Sequence, residues 1–290
     1  MDPRATLLAL LVGLVQGVLE WLPVSSEGGV ALVVALSTGE SAFDATQFAL
    51  FLHAGTAAAG FAFYREEAVG LLGSVPEWRP RDAFGTDRAD LTFYGVASLV
   101  SGVVGLSLYA VLSEAATELA GGAFVAAVGA LLVGTGLLQR AADRWGLGER
   151  ATPDAADAVV VGICQGLALL PGVSRSGTTV SALLLRGHGG ERALQLSFLL
   201  SIPASLGAGL LVVVDEGVPT VPVPQAMLAL GVSAVVGYVT VGALVALVRR
   251  VAFWGVCVGF GALAVLGGGL LVAAENGWVA VVQHWSFAVV

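Results

Sequence analysis

Polar breaks divide the chain into ten apolar segments, roughly 5–20, 28–37, 42–64, 91–112, 121–138, 156–170, 178–186, 194–214, 225–248 and 251–273. A helix needs about 20 apolar residues to cross a bilayer, within a range near 17–25. The third, fourth, fifth, eighth, ninth and tenth segments meet that length and are predicted to span. The second and seventh are too short, and the first and sixth end in Pro/Ser/Gly breaks. Each of these two pairs is therefore predicted to be re-entrant. Irregular backbone at membrane depth persists only where protein or a wet cavity shelters it.

The two breaks repeat one another. Gly13-L-V-Q-G-V-L-E-W-L-P-V-S-S-E-Gly28 aligns without a gap on Gly162-I-C-Q-G-L-A-L-L-P-G-V-S-R-S-Gly177, an offset of 149 residues. Gln16 falls on Gln165, Gly17 on Gly166 and Ser25 on Ser174, and only Pro23 and Pro171 slip by one. Residues 1–150 and 151–290 then each read as a re-entrant pair followed by three spans. Three is odd, so the second half starts from the opposite face. The expected fold is an all-α multi-pass membrane protein, an inverted-topology repeat of six transmembrane helices and two re-entrant helix pairs forming one membrane domain. Paired Gly/Pro-interrupted segments of this kind point to a binding site between the halves.

Arginine placement orients the fold. Arg65, Arg79, Arg81, Arg88, Arg140, Arg144, Arg150, Arg186, Arg192, Arg249 and Arg250 all fall on one predicted face, and Arg4 alone on the other. The loops 113–120 and 215–224 carry Glu114, Glu118, Asp215 and Glu216 and no arginine. The positive-inside rule makes the arginine face cytoplasmic. Both termini are then expected outside a plasma membrane.

Composition agrees and excludes a soluble chain. Hydrophobic residues make up 57%, mean hydropathy is +0.90 and 12% of residues are charged, against about a quarter in soluble domains. The start M-D-P-R-A-T has no net positive charge and no small-residue cleavage site follows, so no signal peptide is read. Net charge is −8, and the 13 basic residues are all arginine. Such a composition suits a salt-loving organism and a GC-rich genome alike. Cys164 and Cys257 lie far apart in apolar segments and read as small core residues. The span glycines Gly95, Gly102, Gly105, Gly231, Gly237, Gly242, Gly255 and Gly259 read as sites of close helix packing.

Glu20 and Arg175 are charges at membrane depth, each costing about 2.5–3.5 kcal/mol on insertion scales, and such charges are usually functional and partnered. Gln16 and Glu20 stand i, i+4 on one helix face. A carboxylate and an amide oxygen suit Mg²⁺ or Ca²⁺, with substrate phosphate and water completing the shell. Ser174, Arg175, Ser176, Gly177 and Thr178 open a short helix as an anion cradle, in which arginine adds a planar fork. The same residues read equally as an ordinary Ser/Thr helix cap. Ser25, Ser26 and Glu27 form the matching turn in the first half. His53 either packs in the third span or faces the site; His188 and His284 carry no signal.

These stretches resemble the undecaprenyl-diphosphate phosphatase family of the BacA/UppP type. Its signatures are similar to Gln16-G-V-L-E-W-L-P-V-S-S-E-G-Gly29, to Phe48-A-L-F-L-H-A-G-Thr56 and to Pro171-G-V-S-R-S-G-T-Thr179. The resemblance implies removal of the terminal phosphate from a polyprenyl diphosphate with a divalent cation, at an active site made from both broken loops that opens to the outside of the plasma membrane. It implies Gln16 and Glu20 as the acidic pair, Ser26 as nucleophile or substrate ligand, and Arg175 as the phosphate-binding arginine, with Ser174, Ser176 and Thr178 as hydroxyl partners. One position departs: Gly29 stands where the family has histidine, and Glu27 is the candidate to compensate as acid/base. The expected partners are the polyprenyl diphosphate lipid, the membrane and a second copy in a homodimer, with no nucleic acid. The rival reading is a polyprenyl-phosphate transporter or flippase using the same cradle.

Overall fold

The computed structural model describes the chain except residues 1–2, 39–41, 86–87, 116–120, 146–148, 171, 216–221, 249–251 and 276–290. Pro171, Arg249, Arg250, His284, Glu118 and Glu216 therefore lie outside the described residues. Among those described, the chain is all-α. The helices are α1 (Pro3–Leu19), α2 (Ser26–Thr38), α3 (Ala42–Phe63), α4 (Arg65–Gly73), α5 (Ala89–Ala115), α6 (Gly121–Trp145), α7 (Ala155–Leu167), α8 (Arg175–Leu185), α9 (Gly190–Asp215), α10 (Val223–Val248) and α11 (Phe253–Glu275).

Five of the described helices are long and apolar enough to cross a membrane: Ala89–Val111, Gly122–Trp145, Gly190–Asp215, Val223–Leu247 and Trp254–Ala273. α3 has 22 residues, and Gln47 and His53 dilute its apolar character. Large apolar side chains such as Leu99, Leu106, Val239, Leu263 and Leu266 lie exposed on the outer faces, a surface that a soluble monomer does not carry. The protein is a multi-pass membrane protein. By contrast α2, α7 and α8, with 13, 13 and 11 residues, reach only about 16–20 Å at 1.5 Å per residue and end within the protein. α4 and two short 3₁₀ turns, Val75–Glu77 and Pro80–Asp82, occupy a loop in which no element was expected.

Packing is reciprocal between the halves: α1 rests on α10 as α7 rests on α5, α2 on α3 as α8 on α9, while α6 pairs with α11 and α3 with α9. Matching glycines make the contacts. A Cβ on Gly13 would lie 2.5 Å from the Ala229 carbonyl oxygen, and one on Gly162 would lie 2.7 Å from that of Ala97. Gly17 and Gly166 press in the same way on Ser233 and Val104. α6 and α11 pack closely at glycines: a Cβ on Gly129 would lie 2.6 Å from the Gly261 carbonyl oxygen, and one on Gly122 would lie 2.5 Å from that of Gly268. The close contacts thus fall mostly on glycines other than those expected. Gly95, Gly102, Gly231, Gly255 and Gly259 have open space where a Cβ would stand, because which helix face meets a partner is decided by the bundle.

A charged brace closes the base of the α7–α8 hairpin. Asp154 caps α7, and its side chain and that of Asp157 satisfy one another's backbone N–H groups. Asp157, fully buried, accepts from Arg186 Nε at 2.6 Å, and its Oδ2 lies 3.0 Å from His188 Nε2. His188 Nδ1 donates to the Arg150 carbonyl at 3.0 Å. His188, read from sequence as a loop residue without signal, is a buried member of this brace. Burial pushes the Asp154 carboxyl up, but the Asp157 N–H and the guanidiniums of Arg150 and Arg186 outweigh it and hold the group down at about 2.

Candidate active site

α1 stops at Leu19, and a turn carries Glu20 to Ser25 before α2 begins at Ser26. Ser25 caps α2, its Oγ accepting the Gly28 N–H at 3.1 Å. Ser174 caps α8 in the same way, accepting from Gly177 at 3.1 Å. A hydroxyl cap satisfies donors that the first turn of a helix leaves over. Ser26 and Arg175, one repeat offset apart, are therefore each the first residue of a short helix.

The two turns are tied together. Gly172 N–H donates to Ser25 Oγ at 3.0 Å and Ser176 Oγ to the Leu22 carbonyl at 2.9 Å. Gln139 of α6 and Cys257 of α11 both donate to the Pro23 carbonyl, at 2.7 and 3.1 Å. Gly172 has φ +100, and a Cβ there would meet the Val128 carbonyl oxygen at 2.3 Å, so the turn admits glycine alone.

Where the turns meet, Glu20 is buried and enclosed. Arg175 Nη2 donates to its Oε1 at 2.6 Å. Its Oε2 accepts from Ser26 Oγ and from Gln16 Nε2, both at 3.0 Å, and lies 3.3 Å from His53 Nε2. Glu27 faces the same imidazole, Oε1 to Nε2 at 3.0 Å, and takes the Ser25 hydroxyl on Oε2 at 3.2 Å. His53 Nδ1 donates to the Ala49 carbonyl at 2.8 Å. Nε2 then has a proton to offer the two carboxylates only as imidazolium. Two buried carboxylates are tolerated here because each is paired and hydrogen-bonded.

Gln16, Glu20, Ser25, Ser26, Glu27, His53 and Arg175 thus stand in one cluster. The remaining cradle residues do not surround it. Ser174 is a cap, and Thr178 Oγ1 donates to the carbonyls of Ser174 and Arg175 at 2.9 and 3.2 Å. Ser176 and Gly177 face elsewhere. Gly29 points away as well, since a Cβ there would meet Leu19 Cδ1 at 2.5 Å.

Two cavities flank the 174–177 turn. The larger, about 460 Å³, has Glu27, His53 and Arg175 at its charged end and runs along α5 and α9 toward Leu106 and Val214. Arg175 Nε and Nη1 are buried without a hydrogen-bond partner. The smaller, about 360 Å³, lies past Ser176 and Gly177 toward Asp143 at the end of α6 and Glu191 at the start of α9. Among the described residues no three His, Cys, Asp or Glu side chains are arranged to hold a metal ion. One buried acceptor beside Glu20, Gln16 Oε1, is unpartnered.

Sequence reasoning missed Gln139, which holds the first turn, and the Asp157–His188 brace. It also gave no role to Gln165, although the repeat had aligned it with Gln16.

Polar, ion-paired turns from two matching halves, buried among membrane helices beside a cavity, mark a candidate site in an integral membrane protein. The chain belongs to the BacA family: the family described as Bacitracin resistance protein BacA matches residues 9–266. It is 60% identical over 267 residues to the undecaprenyl-diphosphatase of Haloarcula marismortui, covering 92% of this chain and 98% of that protein. The undecaprenyl-diphosphatase of Methanococcoides burtonii is 36% identical over 269 residues, 89% of this chain and 96% of its own. That of Methanopyrus kandleri is 39% identical over 264 residues, 89% and 94% respectively.

Proposed function

We propose that this protein hydrolyses a polyprenyl diphosphate of the undecaprenyl type to the monophosphate and inorganic phosphate, recycling a lipid carrier for cell-envelope or glycan synthesis. The observation that carries this reading is the Ser26 hydroxyl held 3.0 Å from Glu20 Oε2, with Arg175 on the other oxygen of the same carboxylate. A carrier needs only an anion site; a serine proton aimed at a buried carboxylate is what a phosphoryl-transfer enzyme needs. The relatives' names point the same way.

The terminal phosphate enters the larger cavity and takes the spare Nε and Nη1 of Arg175. The anion competes with Glu27 for His53, and the turn of Glu27 off the imidazole opens the way to Ser26. Ser26 Oγ attacks the terminal phosphorus as Glu20 takes its proton, the bridging P–O bond breaks, and polyprenyl monophosphate leaves. His53 supplies a proton to the departing oxygen where one is needed. Water then attacks the phosphoserine and passes its proton to the cluster, and inorganic phosphate leaves with Ser26 restored. Arginine and preorganised N–H groups spread the transferring charge.

The unpartnered Gln16 Oε1 beside Glu20 suits a divalent cation, Mg²⁺ or Ca²⁺, that brings most of its ligands as phosphate oxygens and water. When bound it adds Lewis-acid stabilisation of the phosphoryl oxygens. In the same reading the halves are inverted repeats, the larger cavity opens outward from a plasma membrane, and both termini lie outside. Labelling from outside is expected at Ala115→Cys and not at Trp145→Cys. A homodimer is to be read by cross-linking in native membranes.

Purified protein in detergent is expected to release phosphate from a C55 or C15 diphosphate, with Ser26→Ala lowering turnover at least roughly hundredfold. No release by the wild type would end the reading, and undiminished release by Ser26→Ala would end the nucleophile assignment.

A further inference from the structure

The larger cavity holds a second polar point apart from the charged end. Gln165 and Ser101 both line it. Gln165 is 5% exposed, its Nε2 reaches Ser101 Oγ at 3.3 Å, and its Oε1 is buried without a partner. The repeat shows why this amide is left over. Gln16, its counterpart, spends its N–H on Glu20, whereas the position matching Glu20 in the second half is Leu169. Lacking a carboxylate on its own turn, Gln165 reaches across to α5.

Beyond the charged end the wall is mainly apolar, with the hydroxyls of Ser98, Ser101 and Ser205 as its other polar groups, and a half-satisfied buried amide there is a cost unless a ligand completes it. The Ser101 hydroxyl can give or accept, so the amide can turn over and present either its oxygen or its NH₂ to the cavity. We infer that Gln165, set by Ser101, is a binding group for the phosphate ester-linked to the prenyl chain. This rests on the hydrolase reading. Arg175, Glu27 and His53 gather the charged, transferring phosphate at one end, and Leu106, Leu210 and Val214 suit the hydrocarbon. The inner phosphate of the substrate lies between these, where a neutral donor holds it without competing for the outer one. Neutral recognition also leaves the product monophosphate free to depart.

The test uses purified full-length protein in detergent with farnesyl diphosphate as substrate and farnesyl monophosphate as competitor. Gln165→Leu is expected to raise KM and weaken monophosphate competition by roughly tenfold each, with kcat within about twofold, as for loss of one hydrogen bond to a charged group. Ser101→Ala, which keeps the amide and removes its anchor, is expected to shift both in the same direction by less. Arg175→Lys is expected to act on kcat. Wild-type KM and competition in Gln165→Leu would overturn the subsite and leave the hydrolase reading standing. If the wild type releases no phosphate, that reading falls by itself. Calorimetric binding of farnesyl monophosphate to wild type and Gln165→Leu then decides the subsite alone, equal affinities overturning it. Should Gln165→Leu not purify as a monodisperse protein, Ser101→Ala decides by the same readings.

Discussion

Arg175 performs two tasks that separate variants should split. One nitrogen, Nη2, holds Glu20 at 2.6 Å, and two others, Nε and Nη1, have no hydrogen-bond partner among the described residues. The Glu20 side chain is 3% exposed. Arg175→Leu leaves that carboxylate buried without its cation, which costs about 3–5 kcal/mol of stability. Arg175→Lys keeps one positive contact to Glu20 and loses the fork, so the fold should hold while the phosphate loses its paired donors. A hydrogen bond to a charged group contributes about 1.5–3 kcal/mol, which is roughly tenfold to hundredfold in rate. Phosphate release from farnesyl diphosphate and thermal melting, both in one detergent, read the two tasks side by side. The expected pattern is a slow but stable lysine variant and an unstable, inactive leucine variant. Wild-type turnover in Arg175→Lys would refute the phosphate fork. An unchanged melting temperature in Arg175→Leu would show that Glu20 is neutral or solvated and that the ion pair does not join the turns.

Glu20→Gln removes the carboxylate that accepts the Ser26 proton and is expected to abolish turnover and flatten the divalent-cation titration; an unchanged titration would reject Glu20 as a ligand. Asp154 is held down at about 2 from 3.8, so its contribution to stability is full above about pH 4 and lost as pH falls toward 2. Acidification across that window should lower the melting temperature of wild type more than that of Asp154→Asn, and equal slopes would remove Asp154 from the brace. Gly129→Val drives a side chain into the Gly261 carbonyl at 2.6 Å and is expected to cost about 1–3 kcal/mol as overpacking. Gly255→Ala, with open space at its Cβ, is the control; similar melting of the two would mean the α6–α11 seam yields freely.

Much of the site was legible because intramembrane charge is rare. Glu20 and Arg175 stood out from an apolar background, the repeat located both turns, and the structure joins them by a direct ion pair. The hydroxyls were less legible. Ser25, Ser174 and Thr178 read as anion ligands, yet Ser25 and Ser174 accept backbone N–H groups of their own helix starts, Thr178 donates to a backbone carbonyl, and the Ser25 proton goes to Glu27. Motif spacing is the same for a cap and a cradle, and only local geometry separates them. The Asp157–His188 pair escaped because its members, 31 residues apart, meet only when α7 and α8 fold back on each other. Gly129 and Gly255 are likewise indistinguishable until the bundle assigns one to a contact and leaves the other facing outward.

The cavities on either side of the 174–177 turn have an electrical consequence. The two recesses lie toward opposite ends of α9, and hydrated recesses so placed would shorten the insulating path, so that a transmembrane voltage would fall mainly across the 174–177 turn. A charge moved through that full drop changes energy by about 2.3 kcal/mol per 100 mV. In the proposed orientation, a dianionic headgroup settling against this septum from the larger recess would cross a part of that field. On the proposed reading, occupancy of the site would then be coupled to the energised state of the membrane, and the close packing at Gly172 and Gly177 would act also as a seal against ion leak.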